Sequence, residues 1–394
     1  MQEANRLKRL PLYLFTIIDA LKDEARKKGV DIIDLGMGNP DQPTPKHIVQ
    51  ELRKKALVAE NHRYSRSNEE SETKLRKAIA KWYDIKFGVK LDPDSEILPL
   101  IGSKEGIAHL SLAFLNNEDV ALVPSPAYPV HFNGVLIAGG VLHNIPIFEK
   151  DGYLPDLRKL PKNIIKRSKL LFLSYPHNPT TAIASPEFFR DVVNWSMGKN
   201  IIIGHDLAYS DIVFDDYKAP SILQVKNAKK TCIEFHTCSK SYNMAGWRIG
   251  FAVGNRDILH TLAKTKSYID FGIFKPIQYS AIEALTGPQT CVKKLVSMYK
   301  KRRDVLVTGL SEIGWDVPLP KATFYVWARI PDKYSALTSM EFVSLLIRET
   351  GVAVAPGTGF GEYGEGYVRF ALVEDVSRIG EAVKRIKRVL EMET

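Results

Sequence analysis

The sequence predicts an α/β fold built on a mainly parallel sheet, with a smaller α+β region after it. Two observations carry this. Short apolar runs at Val120–Pro124, Leu170–Tyr175, Asn200–His205, Cys232–Thr237 and Ile249–Gly254 lack polar alternation, as strands buried on both faces do. Amphipathic helical stretches accompany them, such as Glu69–Asp84, with Leu75, Ile79 and Trp82 at helical spacing, and Pro186–Lys199. Strands and helices in alternation imply crossover connections and hence parallel pairing.

The texture changes near Gly287. A long Lys- and Arg-rich helix is predicted over Pro288–Ile313, then strands at Thr323–Arg329, Val352–Ala355 and Tyr367–Leu372 with helices between and after them. A chain of 394 residues exceeds one simple core. No low-complexity linker or internal repeat separates the two parts, which predicts packed units with a cleft between them, where sites commonly form.

Composition narrows the function classes. Hydrophobic residues make up 45% and charged residues 25%, ordinary for a globular chain. The net charge of +10 is spread along the sequence without a nucleic-acid reading motif, so it reads as solvated surface with a weak attraction for acidic substrates. Cys232, Cys238 and Cys291 have no metal-ligand spacing and read as reduced thiols of a cytoplasmic protein. The apolar run Leu10–Ile18 is short and leads into Asp19, Lys22, Asp23 and Glu24, unlike a signal peptide. No stretch approaches the roughly 20 apolar residues of a membrane span. The nine histidines show no metal-binding spacing, and no metal is expected.

Four features fall at the ends of predicted strands, where open α/β sheets place ligands. Ile101-Gly102-Ser103-Lys104-Glu105-Gly106 opens an apolar helix, offering backbone N–H groups to a phosphate or forming a plain helix start. Asn178, in the Pro-rich loop Ser174–Thr180, either binds a ligand or stabilises the turn. Asp206 is a carboxylate at the end of a buried strand, costly without a cation or hydrogen bonds. Lys240 lies between Ser239 and Ser241 in a loop joining two apolar strands, eight residues before Arg248. Burial would depress its pKa, as capture of an aldehyde requires. One aldehyde cofactor with a phosphate and a pyridine nitrogen accounts for all four, with Lys240 as the amine and Asp206 facing the ring nitrogen.

Ordered motifs extend this reading: Gly-Met-Gly-Asn-Pro-Asp (36–41), Tyr64-Ser65, Gly-Ser-Lys-Glu-Gly (102–106), Pro-Ser-Pro-Ala-Tyr-Pro (124–129), His-Asn-Pro-Thr (177–180), His-Asp-Leu-Ala-Tyr (205–209), the stretch 239–250 and Val-Arg-Phe-Ala-Leu (368–372). On these the chain resembles the class I/II aminotransferases of pyridoxal-phosphate fold type I over essentially its whole length. The resemblance implies a seven-stranded-type sheet sandwiched by helices in a large domain (46–287) and a discontinuous small domain (1–45 and 288–394). It implies that Lys240 joins the cofactor and moves the proton, that Asp206 pairs with the pyridine nitrogen, and that Asn178 and Tyr209 bond the 3-oxygen. Tyr128 would stack on the ring. Ser103, Lys104, Ser239 and Arg248, with Thr237, would hold the phosphate. Arg369 would grip the substrate α-carboxylate, and Gly38 would lie against the substrate. Tyr64 would reach the phosphate of a neighbouring subunit, implying a homodimer. Thr181 and the segment Asn68–Glu72 depart from the common family pattern.

Within the family the chain is most similar to bacterial glutamate–pyruvate (alanine) transaminases, through residues 10–15, 102–110, 206–213, 217–222 and 240–251. The stretch Ser267–Pro276 lacks the arginine that aspartate aminotransferases use for a distal carboxylate, which suits alanine, with Lys104 or Tyr13 left to meet glutamate's far end. LL-diaminopimelate or aspartate aminotransferase activity and C–S β-lyase activity are the alternatives. A transcription regulator is disfavoured, since no helix-turn-helix fits before Gly36.

Overall fold

The computed structural model describes residues 2–11, 14–66 and 69–392, with only the backbone of 14 and 15. Its centre is a seven-stranded sheet of β1 (Ile97–Leu100), β2 (Val120–Ser125), β3 (Val141–Pro146), β4 (Ser168–Ser174), β5 (Ile202–Asp206), β6 (Cys232–Thr237) and β7 (Gly250–Gly254). The order is β1–β7–β6–β5–β4–β2–β3, and only β7 runs against its neighbours. Sequence reading located the five interior strands and missed β1 and β3. These are the two edges: β1 holds Pro99 and β3 ends at Pro146, tolerable where one side needs no ladder, and β3 is mostly half-buried.

Alternate residues of the strands feed two cores. Leu122, Leu171, Leu173 and Ile203 face Leu75, Ile79, Phe189 and Val193 from the helices Glu70–Phe87 and Pro186–Ser196. Ala121, Leu170, Phe172 and Phe235 face Ile107, Leu110, Val135 and Leu262 on the opposite side. Helices therefore cover both faces, as a parallel sheet requires.

A third core surrounds a smaller antiparallel sheet, in which Tyr367–Ala371 lies between Ala355–Pro356 and Tyr325–Arg329. The predicted strand Val352–Ala355 is split. Val352–Ala353 pairs with Ile33–Asp34, whereas Ala355–Pro356 joins the three-stranded sheet. The helix predicted at Pro288–Ile313 runs over Thr290–Glu312.

The strands β2, β4, β5 and β6 end together at Ser125, Ser174, Asp206 and Thr237. One buried carboxylate ties three of these ends. The Tyr175 N–H, just past β4, donates to His205 Nε2 at 3.2 Å, so the imidazole proton sits on Nδ1 and is given to Glu234 Oε2 at 2.7 Å. Glu234, in β6, also accepts from Ser221 Oγ at 2.7 Å, from the Ile222 N–H at 2.9 Å and from Tyr83. Burial alone would raise its pKa, but the bonds from His205 and His236 outweigh it and hold the carboxyl well below the usual range.

Replacing Glu234 by alanine strands these donors in the core and is expected to destabilise the protein by about 3–5 kcal/mol at pH 7, read from the urea midpoint. Because the folded pKa is depressed, the carboxylate's contribution is complete above the unfolded value of about 4.3 and is lost as pH falls below it. The gap between wild type and variant should therefore narrow in acid.

Candidate functional site

A cavity of about 200 Å³ lies over these strand ends and is roofed by the smaller sheet. It gathers Gly38, Ser103, Lys104, Tyr128, Asn178, Asp206, Tyr209, Thr237, Ser239, Lys240, Arg248 and Arg369 from positions far apart in sequence. Two predicted residues do not line it. Tyr64 is 79% exposed and packs edge-to-face on Phe271, with ring centroids 5.2 Å apart. Tyr13 lies outside the described residues. The stretch Ser267–Pro276 also supplies no lining residue among those described.

One wall begins where β1 ends. Gly102 adopts φ 80°, ψ 153°, a region essentially restricted to glycine, and the helix Ser103–Phe114 follows at once. A Cβ on Gly102 would fall 2.5 Å from Arg248 Nη2, so its bare backbone lets the guanidinium approach. Arg248 itself sits at φ 54° and donates from Nη1 to Ala245 O at 2.9 Å. Free N–H groups at a helix start, Ser103, Ser239 and Arg248 together make an anion cradle. Behind it, Glu105 accepts from the Ile101 N–H at 3.0 Å. Glu105, His109 and Asp270 converge there, and the Lys266 ammonium pairs with both Glu105 and Asp270.

The floor carries the acid and the amine. Asp206 Oδ1 is buried without a partner, while Oδ2 faces His131 Nε2 at 3.4 Å. His131 is stacked on Phe172. Thr237 caps the short helix Cys238–Ser241 by accepting from the Ser239 N–H at 3.1 Å, which turns Lys240 inward. Lys240 Nζ donates to Gly38 O at 3.1 Å. Ser241 donates to Asp211 at 2.6 Å, and Lys86 pairs with that same carboxylate, so the lysine's helix is anchored on its far side. Burial pushes the Lys240 pKa down, and the charges of Arg369 and Arg248 push the same way. Burial likewise raises the Tyr209 hydroxyl well above its ordinary value, keeping it a donor.

The roof brings Arg369, which is 3% exposed. Its Nη1 donates to Asn178 Oδ1 at 2.7 Å and its Nη2 to Gly36 O at 3.1 Å, whereas Nε is buried with no partner. Tyr325 and Phe360 rings lie 4.0 and 4.4 Å from the guanidinium carbon. Sequence reading missed Tyr325, Phe360 and His131. Tyr325 sits in an apolar run, His131 in a helix and Phe360 in the glycine-rich stretch Gly357–Gly361, and only the convergence of distant elements brings them to the site.

Unmatched groups suit an aldehyde cofactor bearing a pyridine nitrogen and a phosphate. The free Asp206 oxygen suits a protonated ring nitrogen, the amine of Lys240 suits an aldehyde, and the cradle suits a phosphate. The free Arg369 Nε suits a substrate carboxylate.

The family profile described as aminotransferase class I and II matches residues 30–386. The chain is 48% identical to the LL-diaminopimelate aminotransferase of Moorella thermoacetica, covering 99% of each sequence. It is also 48% identical to the glutamate-pyruvate aminotransferase AlaC of Escherichia coli, over 97% of this chain and 92% of that one. Proteins named LL-diaminopimelate aminotransferase recur among the similar sequences, at 45–48% identity. Among solved structures, substrate-bound BacF from Bacillus subtilis superposes with a TM-score of 0.93 at 36% identity, covering 99% of this chain and 98% of that one.

Gly102→Ala should place a side chain in glycine-only backbone space and against Arg248. The expected outcome is a loss of about 1–3 kcal/mol in apoprotein stability. Titration with pyridoxal phosphate, followed by absorbance, should give a dissociation constant raised about tenfold or more.

Proposed function

The chain belongs to the class I and II aminotransferases, and on that premise we propose that it moves an amino group between LL-diaminopimelate and 2-oxoglutarate. It is a pyridoxal-phosphate-dependent transferase. The observation that carries the site reading is one cavity holding the buried Lys240 amine, an unpartnered Asp206 oxygen and an unpartnered Arg369 nitrogen.

When bound, pyridoxal phosphate supplies an aldehyde that captures amines and a protonated ring that draws electrons from a captured amino acid's α-carbon. The residues of this chain prepare and direct that chemistry. Lys240, its pKa lowered by burial, would be the nucleophile and would afterwards carry the proton to and from the α-carbon. Asp206, steadied by His131, holds a proton on the ring nitrogen. Asn178 uses its two ends differently: Oδ1 orients Arg369, which leaves Nδ2 to donate to the 3-oxygen beside Tyr209. Ser103, Ser239 and Arg248 fix the phosphate, with Thr237 shaping the turn, and Tyr128 flanks the ring. Arg369 offers Nε to the α-carboxylate next to the Gly38 backbone.

Substrate choice rests on the other end of the molecule. Lys104 lines the same cavity, and among the described residues it makes no ion pair, only an approach to the Tyr128 ring at 5.9 Å. We assign it to a distal carboxylate, which both LL-diaminopimelate and glutamate possess. The recurrence of LL-diaminopimelate aminotransferases among the full-length relatives favours that substrate. Transfer between glutamate and pyruvate is the second reading, supported by the likeness to AlaC and displaced from first place by that recurrence. Tyr64 and Phe271 pack on each other while left mostly exposed, which suits a second copy of this chain in a homodimer, with Tyr64 reaching the partner's phosphate site. Among the described residues no helix is long and apolar enough to cross a membrane.

Mixing the holoenzyme with single amino acids should bleach the cofactor's aldehyde absorbance with LL-diaminopimelate and L-glutamate, and only weakly with L-alanine. Bleaching by alanine and glutamate with none by LL-diaminopimelate would transfer the assignment to the second reading. Lys104→Met should raise KM for dicarboxylates about tenfold and leave that for alanine within about twofold, the scale of one charged hydrogen bond. Arg369→Ala should raise KM for every amino acid by about a hundredfold, because it removes a bidentate grip, while pyridoxal phosphate affinity changes little.

A further inference from the structure

Tyr325 lies against three separate parts of the site, Tyr209, Arg369 and Gly38. It rises from the small-sheet strand Tyr325–Arg329 and is 3% exposed. Its hydroxyl accepts from Tyr209 Oη at 3.1 Å. Its ring lies 4.0 Å from the guanidinium carbon of Arg369, within reach of a desolvated cation–π contact. Its hydroxyl also presses on Gly38, where a Cβ would come within 2.1 Å of Tyr325 Oη. The carbonyl of that glycine receives the Lys240 amine at 3.1 Å. The titratable and charged groups facing it are Tyr209 and Lys240 from the large sheet, Arg369 from its own sheet and Tyr299 from the helix Thr290–Glu312.

We propose that Tyr325 is a positioning and specificity residue with two separable parts, a hydroxyl that strengthens Tyr209 as a donor and a ring that presets the plane of Arg369. The inference rests on the site reading given above. Tyr209 has a single proton. If it donates that proton to the cofactor's 3-oxygen, it no longer donates to Tyr325, and the Tyr325 proton turns onto the Tyr209 oxygen. Two hydroxyls with two protons then form a chain running from Tyr325 through Tyr209 to the 3-oxygen. A donor that itself accepts a hydrogen bond is polarised and donates more strongly. That favours negative charge on the 3-oxygen and lowers the proton affinity of the Lys240 nitrogen when it is joined to the cofactor. The ring acts on a different quantity. Arg369 Nε has no partner before substrate arrives, and an aromatic face holds the guanidinium planar and oriented so that less freedom is lost when a carboxylate binds.

The test compares holoenzymes of wild type, Tyr325→Phe and Tyr325→Leu by two readouts: the pH midpoint of the bound cofactor's absorption change, and KM with kcat for L-glutamate. Tyr325→Phe keeps the ring and should raise the midpoint by about 0.3 pH unit while KM stays within about twofold. Tyr325→Leu should raise the midpoint equally and KM about tenfold. An unchanged midpoint in Tyr325→Phe, or an unchanged KM in Tyr325→Leu, overturns the corresponding half. If the leucine variant fails to fold, a cycle with Tyr209→Phe decides: Tyr325→Phe should add no further shift once the Tyr209 hydroxyl is gone, and a full additive shift overturns the proposal. A wild-type protein that binds cofactor but shows no pH-dependent absorption would instead remove the assignment of Lys240, and the proposal with it.

Discussion

Withdrawing the Lys240 amine from water is the constraint on which the rest of the site depends. An ammonium group is costly in a buried cavity, and two nearby guanidinium groups raise that cost further, so the pKa of the amine is lowered. A lowered proton affinity suits the role proposed for this amine but weakens its hold on polar partners. The capped turn at Thr237, the bond to the Gly38 carbonyl and the Ser241–Asp211–Lys86 anchor compensate by fixing its position. The same desolvation leaves Asp206 and Arg369 each with an unmatched buried atom. Such atoms are tolerated where a ligand completes them.

Two sheets share the work unequally. The large sheet supplies the acid, the amine and the anion cradle from adjoining strand ends, and the Glu234 network keeps those ends in fixed relation. The small sheet supplies Arg369 and Tyr325 across the cavity. On the proposed roles, cofactor chemistry belongs to one layer and substrate grip to the joint between layers. This division explains how relatives about equally similar to this chain bear names with different substrates: the shared machinery is insensitive to the far end of the substrate.

Lys104 and the segment around Phe271 show the limits of reasoning from a lining position alone. Absence of an arginine in Ser267–Pro276 pointed toward a small side-chain pocket, yet that stretch does not line the cavity of its own chain among the described residues. Its exposed Phe271 packs on Tyr64 on the outside. A residue's bearing on specificity is set by which cavity it faces, and sequence proximity to a site motif is no guide to that.

The amino-acid sequence determined by itself the α/β class, the interior strands of the large sheet and twelve of the residues that meet in the cavity, because each left a local mark. Continuous apolar runs mark strands buried on both faces, and motifs such as 102–106 and 239–250 keep their chemistry within a few residues. Edge strands β1 and β3 left no such mark: β1 is only four residues long and holds Pro99, and β3 is mostly half-buried and ends at Pro146, so each resembles a loop. The split of Val352–Ala355 between two pairings depends on partners more than 300 residues away at Ile33–Asp34 and close by at Val368–Arg369. Only the tertiary structure decided that Tyr325, Phe360 and His131 lie at the site, because an aromatic in an apolar strand or glycine-rich turn, or a histidine in a helix, gains its neighbours from what it meets across space.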